Sequence, residues 1–165
     1  MNKWLILFGM LVLFGSCKKS DSCTYSDQNV VATTSEVLYL SQYLSSNSIV
    51  ASQHSSGFFY VIDSVGTGAN PNVCSNTTVT YTGSLLPGGQ VFETVNTSAG
   101  VSFALGQTIV GWQKGLSLIK AGGRITLYIP PSLAYGPNPR YNNAGAVVIP
   151  ANSYLKFTVK LIDVQ

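Results

Sequence analysis

Residues 105–120 read Leu-Gly-Gln-Thr-Ile-Val-Gly-Trp-Gln-Lys-Gly-Leu-Ser-Leu-Ile-Lys. This stretch contains the only helical pattern in the last two thirds of the sequence. Trp112, Leu116 and Ile119 recur at helical spacing, which predicts a short helix over 112–120 with one apolar face. The sequence on both sides has the pattern of strands. We therefore expect a single short helix packed on a sheet.

Six strands are predicted around this helix, because β-branched and aromatic residues cluster there between turn-forming Gly, Pro and Asn. They cover residues 57–62, 77–82, 90–95, 101–105, 124–129 and 154–163. Residues 136–148 are predicted to form a long loop, and loops of this length in a compact domain are usually functional or disordered. The fold class is predicted to be α+β, with a mostly antiparallel sheet.

A further helix is predicted upstream, over about 34–46. Thr33 and Glu36 have the spacing of a capping box at its start. Apolar residues follow at three- and four-residue spacing, at Val37, Leu40 and Leu44. We expect this apolar stripe to dock on the sheet domain.

Residues 1–16 are predicted to be a bacterial lipoprotein signal peptide. Residues 4–14 are apolar apart from a glycine, which suits a signal-peptide core of about 7–15 residues and is short of a membrane span. The small residues before Cys17 resemble a lipobox, in which that cysteine is lipidated. Ordinary secretion, with cleavage after a small residue, is the alternative.

A lipidated Cys17 would place the chain in the bacterial cell envelope, anchored to a membrane and facing the periplasm or the cell surface. Residues 17–56 are then predicted to be a tether followed by the upstream helix. Two cysteines remain, Cys23 and Cys74, and an even number in an oxidising compartment favours a disulfide bond. Two free thiols are the alternative.

Composition argues against several classes of function. The chain has one histidine, His54, and it lies in a polar stretch that is predicted to be a solvated linker. Nucleophilic catalysis that needs a positioned imidazole is therefore not expected. With six Asp and Glu residues the chain offers few metal ligands, so we expect no metal and no cofactor. A net charge of +3 without a basic cluster is too weak for nucleic-acid binding.

Four blocks of residues, in register, resemble the FKBP-type peptidyl-prolyl cis–trans isomerases. The blocks are Val79-Thr80-Tyr81-Thr82-Gly83 with Phe92-Glu93; Leu105-Gly106-x-x-Ile109-x-Gly111-Trp112-x-x-Gly115-Leu116; Gly122-Gly123-Arg124-x-x-Leu127-x-Ile129-Pro130-x-x-x-Ala134-Tyr135-Gly136; and Ile149-Pro150-x-x-x-x-Leu155-x-Phe157-x-Val159. The resemblance assigns residues 57–165 to an isomerase domain. It implies an FKBP-like antiparallel half-barrel wrapped around the short helix, with an N-terminal helical extension.

The resemblance also implies an apolar cup for the substrate proline. The implied catalytic residues are Tyr81, Phe92, Glu93, Ile109, Trp112, Tyr135 and Phe157. The implied substrate-binding residues are Val101, Thr108, Val148 and Ile149. Trp112 would be the floor, and the Ile109 N–H and the Tyr135 hydroxyl would bind the substrate. Glu93 replaces the family's usual Asp, and Val101 stands where many members have an aromatic wall.

This chemistry needs neither a base nor a metal, since no bond is made or broken. Rotation about Xaa–Pro breaks amide conjugation against a barrier of about 18–20 kcal/mol, and an apolar pocket favours the less polar twisted amide. The expected function is prolyl isomerisation of proline-containing polypeptide clients during folding of exported proteins. The alternatives are a catalytically weak FKBP-like module that binds proline-containing segments as a chaperone, and a purely structural lipoprotein. The resemblance further implies macrolide inhibition, and we expect a monomer.

Overall fold

Seven strands form one antiparallel sheet in the computed structural model, which describes residues 23–165. The predicted signal peptide and Cys17 lie outside the described residues. The strands are β1 (Ser52–Gln53), β2 (Phe59–Ser64), β3 (Asn76–Leu86), β4 (Val91–Val95), β5 (Val101–Ala104), β6 (Arg124–Ile129) and β9 (Tyr154–Val164). Their order is β1-β2-β6-β9-β3-β4, and β5 also pairs with β3. A separate hairpin joins β7 (Arg140–Tyr141) to β8 (Val147–Ile149).

The centre of the sheet is the long antiparallel pair of β3 and β9, each of 11 residues. Buried and partly exposed side chains alternate along both strands, because successive side chains point to opposite faces of a sheet. The buried set faces a core on one side and includes Val79, Tyr81, Leu155, Phe157, Val159 and Leu161. This pattern confirms the predicted antiparallel sheet.

The short helix α2 (Val110–Leu116) packs directly against β6. A Cβ atom added to Gly111 would lie 2.6 Å from the Ile129 side chain, and one added to Gly115 would lie 2.7 Å from Leu127. The two glycines therefore let the helix approach the sheet at a distance that a side chain would prevent.

The predicted range of this helix, 112–120, was wrong at both ends. The helix begins at Val110 and ends at Leu116, and the chain continues in turns in which Leu118 and Ile119 donate to the carbonyls of Gly115 and Leu116. Because Ile119 is fully buried, the apolar periodicity ran past the point where the helical hydrogen bonds end.

The upstream helix α1 runs over Thr34–Ser46, as predicted, and its capping box is present. Leu40 and Leu44 are buried in a second apolar cluster with Phe59 and Tyr128. The neighbours of these two strand residues, including Leu127, belong to the main core. The helix α1 therefore docks on the face of the sheet opposite to α2. Within residues 23–165, neither helix has the length and apolar character needed to cross a bilayer.

The segment before α1 lies on the domain, so the tether predicted for residues 18–32 was wrong from Cys23 onward. Cys23 and Cys74 are joined in a disulfide bond, with their Cα atoms 5.5 Å apart. The Tyr25 ring covers Gly106 so closely that a Cβ atom there would overlap the ring. The structure thus contains the bridged form of the cysteine pair and not the two free thiols.

Further contacts hold the same segment in place. Asp27 accepts a hydrogen bond from the Lys114 ammonium at 2.8 Å, and the two form a salt bridge. Ala32 is buried, and its N–H donates to the carbonyl of Ser56 at 2.9 Å. The N-terminal segment is therefore a strap across α2 and the neighbouring loop.

The prediction that His54 lies in a solvated linker was wrong, because His54 is a structural residue. Its Nδ1 accepts a hydrogen bond from the Ser56 N–H at 3.0 Å, and its ring stacks on Phe58 with a centroid distance of 4.5 Å. It follows directly on β1, which pairs with β2. The sheet therefore begins before the predicted domain boundary at residue 57.

The pH dependence of stability is expected to include a contribution from His54. Burial lowers the pKa of His54 below its ordinary value of 6.5, and the Lys114 charge lowers it further, whereas Asp27 raises it. Between the folded and unfolded pKa values the unfolded chain binds more protons than the folded protein. The contribution of His54 to stability is therefore fully present above about pH 6.5 and is lost as the pH falls through the folded pKa. Proton NMR titration of this single histidine, with urea unfolding at about pH 5 and 8, checks this. A His54 pKa at or above 6.5 would contradict it, and His54→Gln should reduce the difference in stability between the two pH values.

Candidate active site

A cavity of about 270 Å³ opens between α2 and the concave side of the sheet. Its volume is just below the range of small-molecule sites, about 300–1,000 Å³. The residues that line it are Tyr81, Glu93, Phe103, Gln107, Thr108, Ile109, Trp112, Tyr135, Arg140 and Phe157. The fold thus brings together seven of the eleven catalytic and substrate-binding residues that the sequence analysis named.

The floor of the cavity is the indole of Trp112, which is 4% exposed. Tyr81 and Phe157 meet it edge to face, with centroid distances of 5.0 and 5.3 Å, and Phe103 does so at 6.0 Å. Edge-to-face arrangements are favourable because the positive rim of one ring meets the negative face of another. The result is a rigid apolar cup, suited to an apolar ring.

The cup also has an unused donor at its floor. The Nε1 atom of Trp112 is buried and has no hydrogen-bond partner among the described residues. Buried indole N–H groups usually have one. The neighbouring Gln113 does not accept from it: its Oε1 is also buried without a partner among the described residues, and its Nε2 donates to the carbonyls of Gly106 and Thr108 at 3.2 and 2.7 Å.

Two further donors lie at the edge of the cup. Ile109 is the residue before α2, and its carbonyl accepts from the Trp112 and Gln113 N–H groups. Its own N–H is used in none of the hydrogen bonds found among residues 23–165. Tyr135 follows the short 3-10 turn Pro131–Leu133 and is half-buried at the cavity. The site therefore offers a backbone N–H and a hydroxyl to one bound carbonyl-containing group.

Both tyrosine hydroxyls at the cavity stay protonated at neutral pH. Burial raises the pKa of Tyr81 far above its ordinary value, and the neighbouring Glu93 carboxylate raises it further. Burial also raises the pKa of Tyr135, against an opposing effect of the Arg140 charge. These hydroxyls are donors, and they do not act as bases in the neutral range.

Four predicted site residues do not line the cavity. Phe92 packs edge to face on Phe157, at 5.6 Å, and so stands behind the wall. Val101 and Val148 are partly buried against the main core, and Ile149 is buried within it. Phe92 therefore supports Phe157 from behind, and the other three residues contribute to the core.

Three lining residues were not assigned to the site from the sequence: Phe103, Gln107 and Arg140. Phe103 lies two residues after Val101 on β5, so both side chains are on the same face of that strand. It supplies the aromatic wall that Val101 lacks. Strand alternation was the signal that could have identified it.

Arg140 reaches the cavity because the predicted loop 136–148 forms all but the last residue of the β7–β8 hairpin. Arg140 pairs with Ile149 across this hairpin, and its guanidinium carbon lies 5.0 Å from the centre of the Tyr135 ring. Such cation–π contact orients the ring. The hairpin was missed because its strands are only two and three residues long.

Among the residues that the structure describes, the charged groups at the cavity are Glu93 and Arg140, and none of the lining residues is His or Cys. Among residues 23–165, no three His, Cys, Asp or Glu side chains come together as a metal site would require. The arrangement can bind an apolar ring and hold an adjacent carbonyl.

Comparison with known proteins gives one family. A model described as "FKBP-type peptidyl-prolyl cis-trans isomerase" matches residues 68–162. The chain is 44% identical over 111 residues to the "Probable FKBP-type peptidyl-prolyl cis-trans isomerase" of Haemophilus influenzae, covering 67% of this chain and 44% of that protein. It is 40% identical over 111 residues to the FKBP-type isomerase FkpA of Escherichia coli strain K12, covering 67% and 39%. The chain spans less than half the length of these relatives.

Solved structures show the same fold. The crystal structure of FkpA from Escherichia coli has a TM-score of 0.66 and 35% identity, covering 79% of this chain and 60% of that one. The crystal structure of AtFKBP13 has a TM-score of 0.60 and 31% identity, covering 69% of this chain and 98% of that one.

Proposed function

Because the chain belongs to the FKBP-type peptidyl-prolyl cis–trans isomerase family, we propose that it isomerises Xaa–Pro bonds and assists the folding of exported proteins. The observation that carries this proposal is the cup floored by Trp112, with the Ile109 N–H and the Tyr135 hydroxyl at its edge. The cup binds the prolyl ring, and the two donors hold the flanking peptide carbonyl.

The proposed rate acceleration comes from the polarity of the cup. A planar amide has more charge separation than a twisted one, and the barrier between them in water is about 18–20 kcal/mol. Edge-to-face rings of Tyr81, Phe103 and Phe157 around Trp112 exclude water from the bound amide. The planar ground state therefore loses more stabilisation than the twisted transition state.

The donors contribute by fixing one side of the bond. Holding a carbonyl on the Ile109 N–H keeps one peptide group still while the other rotates. The raised pKa of Tyr135 keeps its hydroxyl protonated as the second donor. Catalysis is proposed to depend on positioning and desolvation alone.

Replacing Tyr135 by phenylalanine is expected to lower kcat/KM for a short Xaa–Pro peptide by about 3- to 10-fold, the value of one neutral hydrogen bond. The ring and its contact with Arg140 are kept, so the fold should be unchanged. A protease-coupled isomerase assay, with circular dichroism as the control for folding, measures this. Equal kcat/KM for both proteins would remove the hydroxyl from the mechanism.

The assistance in folding can be tested on a protein whose slow refolding phase is prolyl isomerisation. We expect a soluble form beginning at Lys18 to accelerate that phase at substoichiometric concentration. The alternative is a module that binds proline-containing segments with little turnover, and the longer carboxylate of Glu93 at the cavity favours it. Such a module would suppress aggregation and leave the slow phase unchanged.

A macrolide is proposed to compete for the same cup. It should abolish the acceleration of refolding by an isomerase, or the suppression of aggregation by a binding module.

The protein is further proposed to be a lipoprotein of the bacterial cell envelope, anchored through Cys17 and facing the periplasm or the cell surface. The small residues before Cys17 and the apolar core of residues 4–14 support this. Labelled palmitate should be incorporated into the full chain and not into Cys17→Ser. Equal labelling of both, or none of either, would leave ordinary secretion as the better account.

A further inference from the structure

We propose that Glu36, on the N-terminal helix α1, is a positioning residue for Tyr135. It lies outside the segment that the family model matches, residues 68–162, and 96 residues before its partner Ser132. The inference rests on the proposed function, since it assigns Tyr135 a place in binding the substrate.

The Glu36 carboxylate joins two elements. Its Oε2 accepts from the N–H and the hydroxyl of Thr33, at 2.8 and 3.0 Å, which closes the start of α1. Its Oε1 accepts from the Ser132 N–H at 2.9 Å, and Oε2 accepts from the Ser132 hydroxyl at 2.8 Å. One side chain therefore ties the first turn of α1 to the turn Pro131–Leu133.

That turn leads straight into Tyr135. Leu133 is fully buried, so the turn is fixed from the core side. The N–H groups of Ala134 and Gly136 both donate to the Pro131 carbonyl at 2.9 Å, so the backbone on either side of Tyr135 closes on the same turn. Ser132 is the exposed corner of the turn, and Glu36 is the group that holds this corner.

Docking of the helix does not require this contact. The helix α1 is already held by Leu40 and Leu44 in the second apolar cluster, and its N-terminus is capped by Thr33. The two bonds to Ser132 are additional to both. Burial acts to raise the pKa of Glu36, but its hydrogen bonds with Thr33 and Ser132 outweigh burial and lower it. Glu36 and its bonds to Ser132, here called the Glu36 clamp, thus contain a carboxylate at neutral pH. This carboxylate accepts four hydrogen bonds from neutral donors.

The experiment compares kcat/KM for an Xaa–Pro peptide in Glu36→Ala and in a matched control, Thr33→Ala. Both variants lose part of the helix cap, but the control keeps both bonds from Ser132 to Glu36. We expect Glu36→Ala to lower kcat/KM by about 3- to 10-fold, as loss of the Tyr135 hydroxyl would. The kcat/KM of Thr33→Ala should stay within about twofold of the wild-type value, even if its Tm falls as far as that of Glu36→Ala.

A double-mutant cycle with Tyr135→Phe separates positioning from general loss of structure. If Glu36 acts through the Tyr135 hydroxyl, Glu36→Ala should change kcat/KM by less than about twofold in the Tyr135→Phe background. An equal loss in both backgrounds would overturn the proposal. So would wild-type kcat/KM in Glu36→Ala alone.

Amide hydrogen exchange supplies a readout that does not depend on catalysis. The Gly136 amide should exchange at least about tenfold faster in Glu36→Ala, and at the wild-type rate in Thr33→Ala. If the wild-type protein shows no isomerase activity, the proposed function fails, and the exchange data alone decide whether Glu36 holds the turn. Unchanged Gly136 exchange in Glu36→Ala would overturn the positioning role.

Discussion

Replacing Trp112 by alanine is expected to abolish peptide binding and to lower the free energy of unfolding by about 3–5 kcal/mol. The indole is 4% exposed and touches the rings of Tyr81, Phe103 and Phe157. Its removal joins the cup to a new cavity in the core, so the walls lose the surface against which they pack. Urea unfolding and calorimetric titration with a proline-containing peptide measure the two losses.

The matched control for this loss is Phe58→Leu. Phe58 is also fully buried in the main core, but it does not line the cup. This variant should lose stability and keep peptide affinity. If Trp112→Ala fails to fold, Trp112→Phe keeps a smaller ring and should fold with weakened binding. Wild-type affinity in a folded Trp112 variant would show that the peptide binds elsewhere.

Replacing both Cys23 and Cys74 by serine is expected to lower the free energy of unfolding by about 4 kcal/mol, from loop-closure entropy over 51 residues. The bond fastens the end of the strap that carries Tyr25 onto Gly106. Loss of the disulfide bond raises the conformational entropy of the unfolded chain and loosens the contact between Tyr25 and Gly106 in the folded protein. Urea unfolding of the form beginning at Lys18, which lacks Cys17, gives the difference.

The wild-type protein in the presence of a reducing agent is the natural control for the serine variant. Reduced wild type and the double variant should unfold at the same urea concentration, well below that of the oxidised protein. A difference under about 1 kcal/mol between oxidised and reduced protein would contradict the account, since even modest native disulfides contribute about 2 kcal/mol.

Much of the fold could be predicted from local patterns. The capping box of Thr33 and Glu36 determines where α1 begins, because both partners lie within four residues. Clusters of β-branched and aromatic residues identified β6 to the residue and β9 to within one. Periodicity did not identify where α2 ends, because Ile119 continues the apolar face after the helix has stopped.

The site could be predicted where a motif names the residue, and less well where packing decides. Trp112, Tyr81 and Tyr135 meet at one cavity, as the resemblance implied. Val101 does not line it, because Phe103 on the same strand face fills that wall. Arg140 could not be assigned to the site from the sequence, since it reaches Tyr135 through a hairpin of very short strands.

The strap and the Glu36 clamp depend on contacts between distant parts of the chain. Asp27 meets Lys114, and Glu36 meets Ser132, across separations of 87 and 96 residues. No local pattern contains such a pair. The polar composition of the residues before α1 therefore predicted a tether, although from Cys23 onward they lie on the domain. Only the folded arrangement reveals them.

The most direct test of the central claim is the rate of cis–trans exchange in a short Xaa–Pro peptide, measured by two-dimensional exchange NMR. The form beginning at Lys18, at a small fraction of the peptide concentration, should accelerate exchange, and Tyr135→Phe should accelerate it less. Since uncatalysed exchange takes about 10–100 s, acceleration is easily resolved. A folded wild-type protein that leaves the exchange rate at its uncatalysed value would contradict the claim that this cup is an isomerase site.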